Sequence, residues 1–132
     1  MPEAEPEPAI HYEIDRANHL IRTTFVGAVS MEQISAYMKQ LEKDPDYDLS
    51  FDALVDLRTY TGQLEPDLLR QLALQIRENP GSPGARRAVL VANDLQTSLM
   101  RLLQAFTSLA PVVYRTFRSA DAAMAWLAER KR

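Results

Sequence analysis

Polar and apolar residues alternate from Ile10 onward: Ile10, Tyr12 and Ile14 are separated by His11, Glu13 and Asp15. A period of two gives a strand one apolar and one polar face. Arg16-Ala17-Asn18 supplies turn chemistry. Leu20 to Val26 follows, rich in β-branched residues and carrying Ile21, Thr23 and Phe25 on one face, so the two segments predict an antiparallel hairpin that ends at Gly27.

The period then changes to that of a helix. Ser30, followed three residues later by Gln33, makes a capping box, and Met31, Ile34, Met38 and Leu41 recur at helical spacing until Asp44-Pro45. Phe51 to Leu57 and Ala88 to Ala92 have short apolar centres without clean alternation, which suits interior strands covered on both faces. Between them Pro66 fits a first helical turn, Leu68, Leu69, Leu72, Ala73 and Ile76 form an apolar stripe, and Asn79-Pro80-Gly81 breaks it. Asn93 or Asp94 caps a third helix in which Leu95, Leu99, Leu102, Leu103 and Phe106 keep the helical period until Pro111. Val112 to Phe117 forms the last strand. Ser119 caps a closing helix with Ala120, Ala123, Met124 and Leu127 turned inward, and Glu129-Arg130-Lys131-Arg132 frays into water with its cations near the helix C-terminus.

Alternating strands and helices of this kind force parallel pairing through right-handed crossovers. The expected fold is therefore α/β: a five-stranded mixed sheet, an N-terminal antiparallel hairpin leading into parallel strands, covered by about four helices within a single domain over residues 9–132. Residues 1–8 alternate proline with glutamate, neither donate a regular ladder nor bury apolar area, and are read as a disordered tail outside the fold.

Composition narrows the class of partner. Fifteen Lys and Arg against 18 Asp and Glu give a net charge of -3, with no broad positive field to gather phosphates, so nucleic acid is not expected. The absence of cysteine removes disulfides, thiolate metal sites and thiol nucleophiles and fits a reducing compartment, which makes the cytoplasm the expected location. No stretch approaches the roughly 20 apolar residues of a bilayer span, and the acidic N-terminus is unlike a secretory signal, so neither membrane anchoring nor export is expected.

The chain resembles the SpoIIAA-like group of STAS-type domains, whose members are similar in fold to anti-sigma factor antagonists. The resemblance rests on the hairpin ending in Phe25-Val26-Gly27, the strands Phe51 to Arg58 and Arg87 to Val91, and the closing Ala122-Ala123-Met124-Ala125-Trp126-Leu127. It covers almost everything after the tail, and because these are core patterns it implies fold more than activity. What it implies for function is a partner-docking surface at the start of the helix after the central strand, a phosphorylatable serine there, and, in related folds, small apolar or lipid ligands. Here the corresponding stretch, Asp56 to Glu65, has no Asp-Ser-Ser run and offers Thr59 and Thr61 instead.

The crevice of an open α/β sheet lies beyond the carboxyl ends of its parallel strands. That edge collects the candidate surface residues Asp56, Arg58, Thr59, Thr61, Asn93 and Arg118. Arg118 approaching Asp56 and Arg58 would suit a small acidic or phosphorylated ligand; the bland alternative is surface cations beside a strand-ending carboxylate. A phosphate on Thr59 or Thr61 would sit near the positive end of the second helix; as plain loop hydroxyls the two would satisfy backbone donors.

His11 and His19 lie on opposite arms of the expected hairpin, but a metal site needs three or four ligands and exposed edge residues are the simpler reading. No metal or other cofactor is expected. Trp126, and Met31, Tyr37 and Met38 on the first helix, suit core packing, with recognition as the alternative. No catalytic motif occurs. The reading that follows is a non-enzymatic regulatory or protein-interaction module with a protein partner or a homodimer, without the serine switch. The alternative is a carrier or sensor of a small apolar or lipid-like ligand.

Overall fold

The computed structural model describes residues 7–62, 66–78, 83–106 and 113–129. In chain order these form β1 (Ala9–Asp15), β2 (Leu20–Gly27), α1 (Met31–Lys43), β3 (Asp52–Tyr60), α2 (Pro66–Glu78), β4 (Arg86–Leu90), α3 (Asp94–Phe106), β5 (Val113–Phe117) and α4 (Ala120–Glu129). The strands make one five-stranded sheet in the order β1-β2-β3-β4-β5. β1 and β2 are antiparallel, and every later pair is parallel.

This order has a geometric consequence. Right-handed crossovers repeated in the same direction across a sheet put their helices on the same side. The side chains agree: Ile34 of α1, Leu69 and Ala73 of α2, and Met100 and Leu103 of α3 pack with Leu57 and Val89 in one core cluster. On the opposite face α4 packs Ala123, Trp126 and Leu127 against Leu20, Ala88 and Leu90. The helix starts are fixed locally. Ser30 and Gln33 form the capping box, with Gln33 N donating to Ser30 Oγ at 3.1 Å and Ser30 N to Gln33 Oε1 at 3.0 Å.

Several boundaries differ from the sequence pattern. β3 runs on to Tyr60, so Arg58 and Thr59 belong to a strand rather than a loop. The cause is continued pairing with β2: beyond an irregularity between Thr24 and Val26 the ladder resumes as Val26↔Thr59 and Gly27↔Tyr60, and the Thr59 hydroxyl donates to the Phe25 carbonyl at 2.7 Å. Gly27 turns the chain away at a φ of 72°, a region only glycine enters freely. β4 begins two residues before Ala88, because Arg86 pairs with Val113 of β5 and its amide donates to the Asp52 carboxylate at 2.8 Å. Ala92 lies past the strand.

His19 sits in the turn, not on a strand arm, at a φ of 52° with its ring stacked on Phe51. His11 pairs with Thr24, so the two histidines do not face each other across the hairpin. In α3 the expected inward positions Leu95 and Leu102 are 69% and 40% exposed, while Gln96, Met100 and Leu103 are buried. Trp126 is buried under α4, with the Arg86 guanidinium 4.7 Å over its ring. At the N-terminus the Pro8 carbonyl accepts from Gln33 Nε2 at 2.7 Å. Most of the expected tail, the Asn79-Pro80-Gly81 break, Pro111, Val112 and the basic C-terminus lie outside the described residues.

Candidate functional site

Between the sheet and the three crossover helices lies a cavity of about 200 Å3. Its floor is the alternating face of the central strands, including Thr23 and Phe25 of β2, Ala53 and Val55 of β3, and Arg87 and Val89 of β4. Short side chains at Thr23, Ala53 and Val55 keep this part of the floor low, and the Tyr37 side chain of α1 comes down to meet Thr23. The walls and roof come from Tyr37, Met38 and Leu41 of α1, Leu69 and Leu72 of α2, and Met100 and Leu103 of α3. A void of about 150 Å3 lined by apolar side chains stays dry and takes up benzene, so the space here suits a small organic molecule.

The polar groups are few and face the same space. The Tyr37 hydroxyl shares a 2.7 Å hydrogen bond with Thr23 Oγ1. Tyr47, Tyr60 and Tyr114 also line the cavity. Burial pushes the phenols of Tyr37, Tyr47, Tyr60 and Tyr114 above their usual range, and for Tyr37 the Thr23 bond works against that rise. The Arg87 cation pulls Tyr37, Tyr47 and Tyr114 partly back, which places all three within its field. Arg87 is held from Nη1, which donates to the Phe51 carbonyl at 2.9 Å and to the Arg86 carbonyl at 3.4 Å. It is the charged side chain among the described lining residues.

The carboxyl edge of the strands, where sequence pattern placed the working surface, is arranged differently. Asp56 and Arg58 lie two apart on a strand and so share a face. They pair with each other: Arg58 Nε and Nη2 donate to Asp56 Oδ1 and Oδ2 at 3.0 and 2.9 Å, and the Arg58 amide adds a bond of 2.9 Å to Oδ1. Burial pushes the Asp56 carboxyl up, but these bonds and the Arg58 charge together outweigh it and hold the group below its usual range. Arg118 does not join them; it pairs with Asp94 and reaches the Ala92 carbonyl. Asn93 caps α3 by accepting from the Gln96 amide at 2.9 Å. Thr59 is engaged with Phe25 as described, and Thr61 is exposed, with its amide donated to the Gly27 carbonyl. The expected convergence of Asp56, Arg58 and Arg118 is therefore absent, because each cation is matched by a carboxylate close to it.

Sequence reasoning passed over Gln96. Its side chain is 8% exposed, accepts from the Ala92 amide at 2.8 Å, and donates from Nε2 to the Leu57 carbonyl at 3.0 Å. It thereby ties the start of α3 to the ends of β3 and β4 beside the cavity. Arg87, Tyr47, Tyr60 and Tyr114 of the cavity were also passed over as site residues, whereas the sequence pattern reads Tyr37 as core packing with recognition as the alternative. Their signal was tyrosines standing where helical or strand period calls for apolar residues. Among the described residues no group of three or more His, Asp or Glu side chains is placed to hold a metal ion, and no helix is long and apolar enough to cross a membrane.

No family model and no curated protein matches the chain. Among solved structures it is similar to an uncharacterised protein of the DUF3478 family with a SpoIIAA-like fold from Shewanella loihica PV-4. The two share 18% sequence identity and superpose with a TM-score of 0.69 over 96% of this chain and 99% of that one. At that identity the likeness establishes the fold: the sheet order, hairpin and helix placement described above are SpoIIAA-like.

Proposed function

We propose that this protein binds a small, largely apolar molecule in the cavity between the sheet and α1, α2 and α3, and works as a carrier or sensor of that molecule without converting it. The observation that carries the reading is the space of about 200 Å3 between sheet and helices, bounded mostly by aliphatic and aromatic side chains, where protein interiors are ordinarily close-packed. Pockets for drug-sized ligands run from roughly 300 Å3 upward, so the ligand is smaller than that class. Binding without turnover is supported by the lining itself. An arginine does not give up its proton in a protein, and phenols pushed upward by burial are poor acids near neutral pH.

The test is calorimetric titration with octan-1-ol, alongside a Val55→Phe variant that puts a ring into the space. Wild type takes up the alcohol and the variant loses at least about tenfold in affinity, as expected when the volume a ligand needs is already filled. Failure of wild type to take up any such probe, with the fold intact, would remove the reading.

A second reading, the regulatory interaction module, has its own support in one observation. Leu95 and Leu102 of α3 and Leu74 of α2 are exposed, at 69%, 40% and 52%, and Leu95 and Leu102 stand seven residues apart on one side of their helix. A homodimer in light scattering that Leu95→Ser dissolves would support it; an unchanged monomer in both proteins would count against the homodimer.

A further inference from the structure

Two adjacent arginines of β4 point to opposite faces of the sheet, and their surroundings differ. Arg86, on the α4 side, stacks over Trp126 at 4.7 Å, donates to the Trp126 carbonyl at 2.6 Å and lies 3.7 Å from the Glu129 carboxylate. Its charge is matched. Arg87, on the cavity side, has carbonyl oxygens as its hydrogen-bond partners, and among the described residues no carboxylate lies within ion-pair distance of it. A partly buried cation facing apolar walls without a counter-ion is an unfavourable arrangement that a bound anion relieves.

We propose, resting on the reading that the cavity takes a ligand, that this ligand is a small carboxylic acid whose carboxylate seats against Arg87 between Tyr37, Tyr47 and Tyr114, with its apolar body lying over Val55 toward α2 and α3. The geometry of the donor selects the head group. Both bonds that Arg87 makes to described residues leave from Nη1, so its Nε and Nη2 N–H groups are the ones left for a ligand, and such a fork matches a carboxylate. A phosphate monoester brings close to two negative charges and three acceptor oxygens, whereas the described lining supplies one cation. The volume sets the body: about one benzene's cavity plus a head group, or a chain of roughly eight carbons.

The polar end of the cavity lies at the start of the parallel strands, away from their carboxyl edge. Arg87 pairs with Ala53 and Tyr114, each at or next to the first residue of its strand. That position explains why a search along the carboxyl edge finds matched ion pairs and no site.

Octanoate and octan-1-ol, titrated separately into wild type and Arg87→Gln at neutral pH, separate this proposal from the reading beneath it. Wild type binds octanoate at least about tenfold more tightly than octan-1-ol, the size of one charge-assisted hydrogen-bonded contact. In Arg87→Gln that preference falls to about onefold while octan-1-ol binding is unchanged. Equal affinity of wild type for acid and alcohol, or a preference that survives in Arg87→Gln, overturns the carboxylate assignment and leaves the cavity reading standing. Binding of neither probe by folded wild type overturns both. Should Arg87→Gln fail to fold, Arg87→Lys takes its place: it keeps a cation but loses the planar fork, and a preference for octanoate undiminished from wild type overturns the assignment.

Discussion

The two faces of the sheet are covered by different means. On one side a single helix, α4, lies directly on the strands, and the contact is made through small residues: Ala88 and Ala123 are both 0% exposed, flanked by Leu20, Leu90 and Leu127. Alanine against alanine lets a helix approach a sheet closely, and one large ring, Trp126, closes the margin against Phe117. On the other side three helices meet over the same strands, and the residues they send down are long: Tyr37, Met38, Leu41, Leu69, Met100 and Leu103. Those side chains hold the roof off the floor. Connection topology accounts for the three-to-one division of helices, and side-chain size accounts for one face being solid and the other hollow.

The sharpest way to break the comparison is to truncate the solid face. Trp126→Ala removes a ring that is 8% exposed, together with the surface on which Arg86 stacks. A loss of about 3–5 kcal/mol in unfolding free energy is expected, because a close-packed face cannot collapse around the deletion. Urea denaturation followed by far-ultraviolet circular dichroism measures it; a loss below about 1 kcal/mol would mean that this side is not solid.

The next effect is smaller and compares like with like. Ala53 and Ala88 lie on neighbouring strands, at 7% and 0% exposure, one facing the cavity and the other α4. The same change to valine adds two methyl groups to each. Ala88→Val should lose about 1–3 kcal/mol by overpacking. Ala53→Val should fall within about 0.5 kcal/mol of wild type, since the added methyls enter open space and valine suits a strand better than alanine. Equal losses at both sites, in the same denaturation assay, would show that the two faces are packed alike.

How far the molecule was legible in its sequence follows the same division. Period-two spacing placed the hairpin, helical spacing the helices and short apolar runs the two interior strands, because those patterns record which residues are hidden. They identified Ile21, Thr23 and Phe25 as one face of β2, and these now line the cavity. Spacing does not record how far apart two hidden surfaces stand, so a stripe that fills space and a stripe that encloses it look the same. α3 shows a second limit. Leu95, Leu99 and Leu102 satisfy a helical period as well as Gln96, Leu99 and Leu103 do. The structure takes the phase in which the Gln96 amide group meets the free backbone groups of Ala92 and Leu57. The rim at Asp56, Arg58, Thr59, Thr61, Asn93 and Arg118 lies at the carboxyl end of the sheet, but Arg118 does not meet Asp56 and Arg58, because Arg58 pairs with Asp56 two residues away on its own strand and Arg118 finds Asp94 at the start of α3.

The smallest effect is absent at neutral pH and separates the faces through their tyrosines. Tyr37, Tyr47, Tyr60 and Tyr114 all line the cavity, and burial pushes each above the usual value of 10.0. A phenol raised in the folded state binds its proton more tightly there than in the unfolded chain. The stability this contributes is complete below pH 10 and is lost as pH rises from 10 through the folded value, since the unfolded chain ionises first. Tyr114 isolates the effect: burial lifts its phenol, and the Arg87 cation pulls it partly back. The unfolding free energy of wild type minus that of Tyr114→Phe should therefore stay constant from pH 7 to pH 9 and fall above pH 10, by less than for a buried phenol with no cation beside it. Removing that cation sharpens the point, because in an Arg87→Gln background the same difference should fall further with rising pH. A difference that is flat through the alkaline range would place Tyr114 in water rather than in the wall of the cavity.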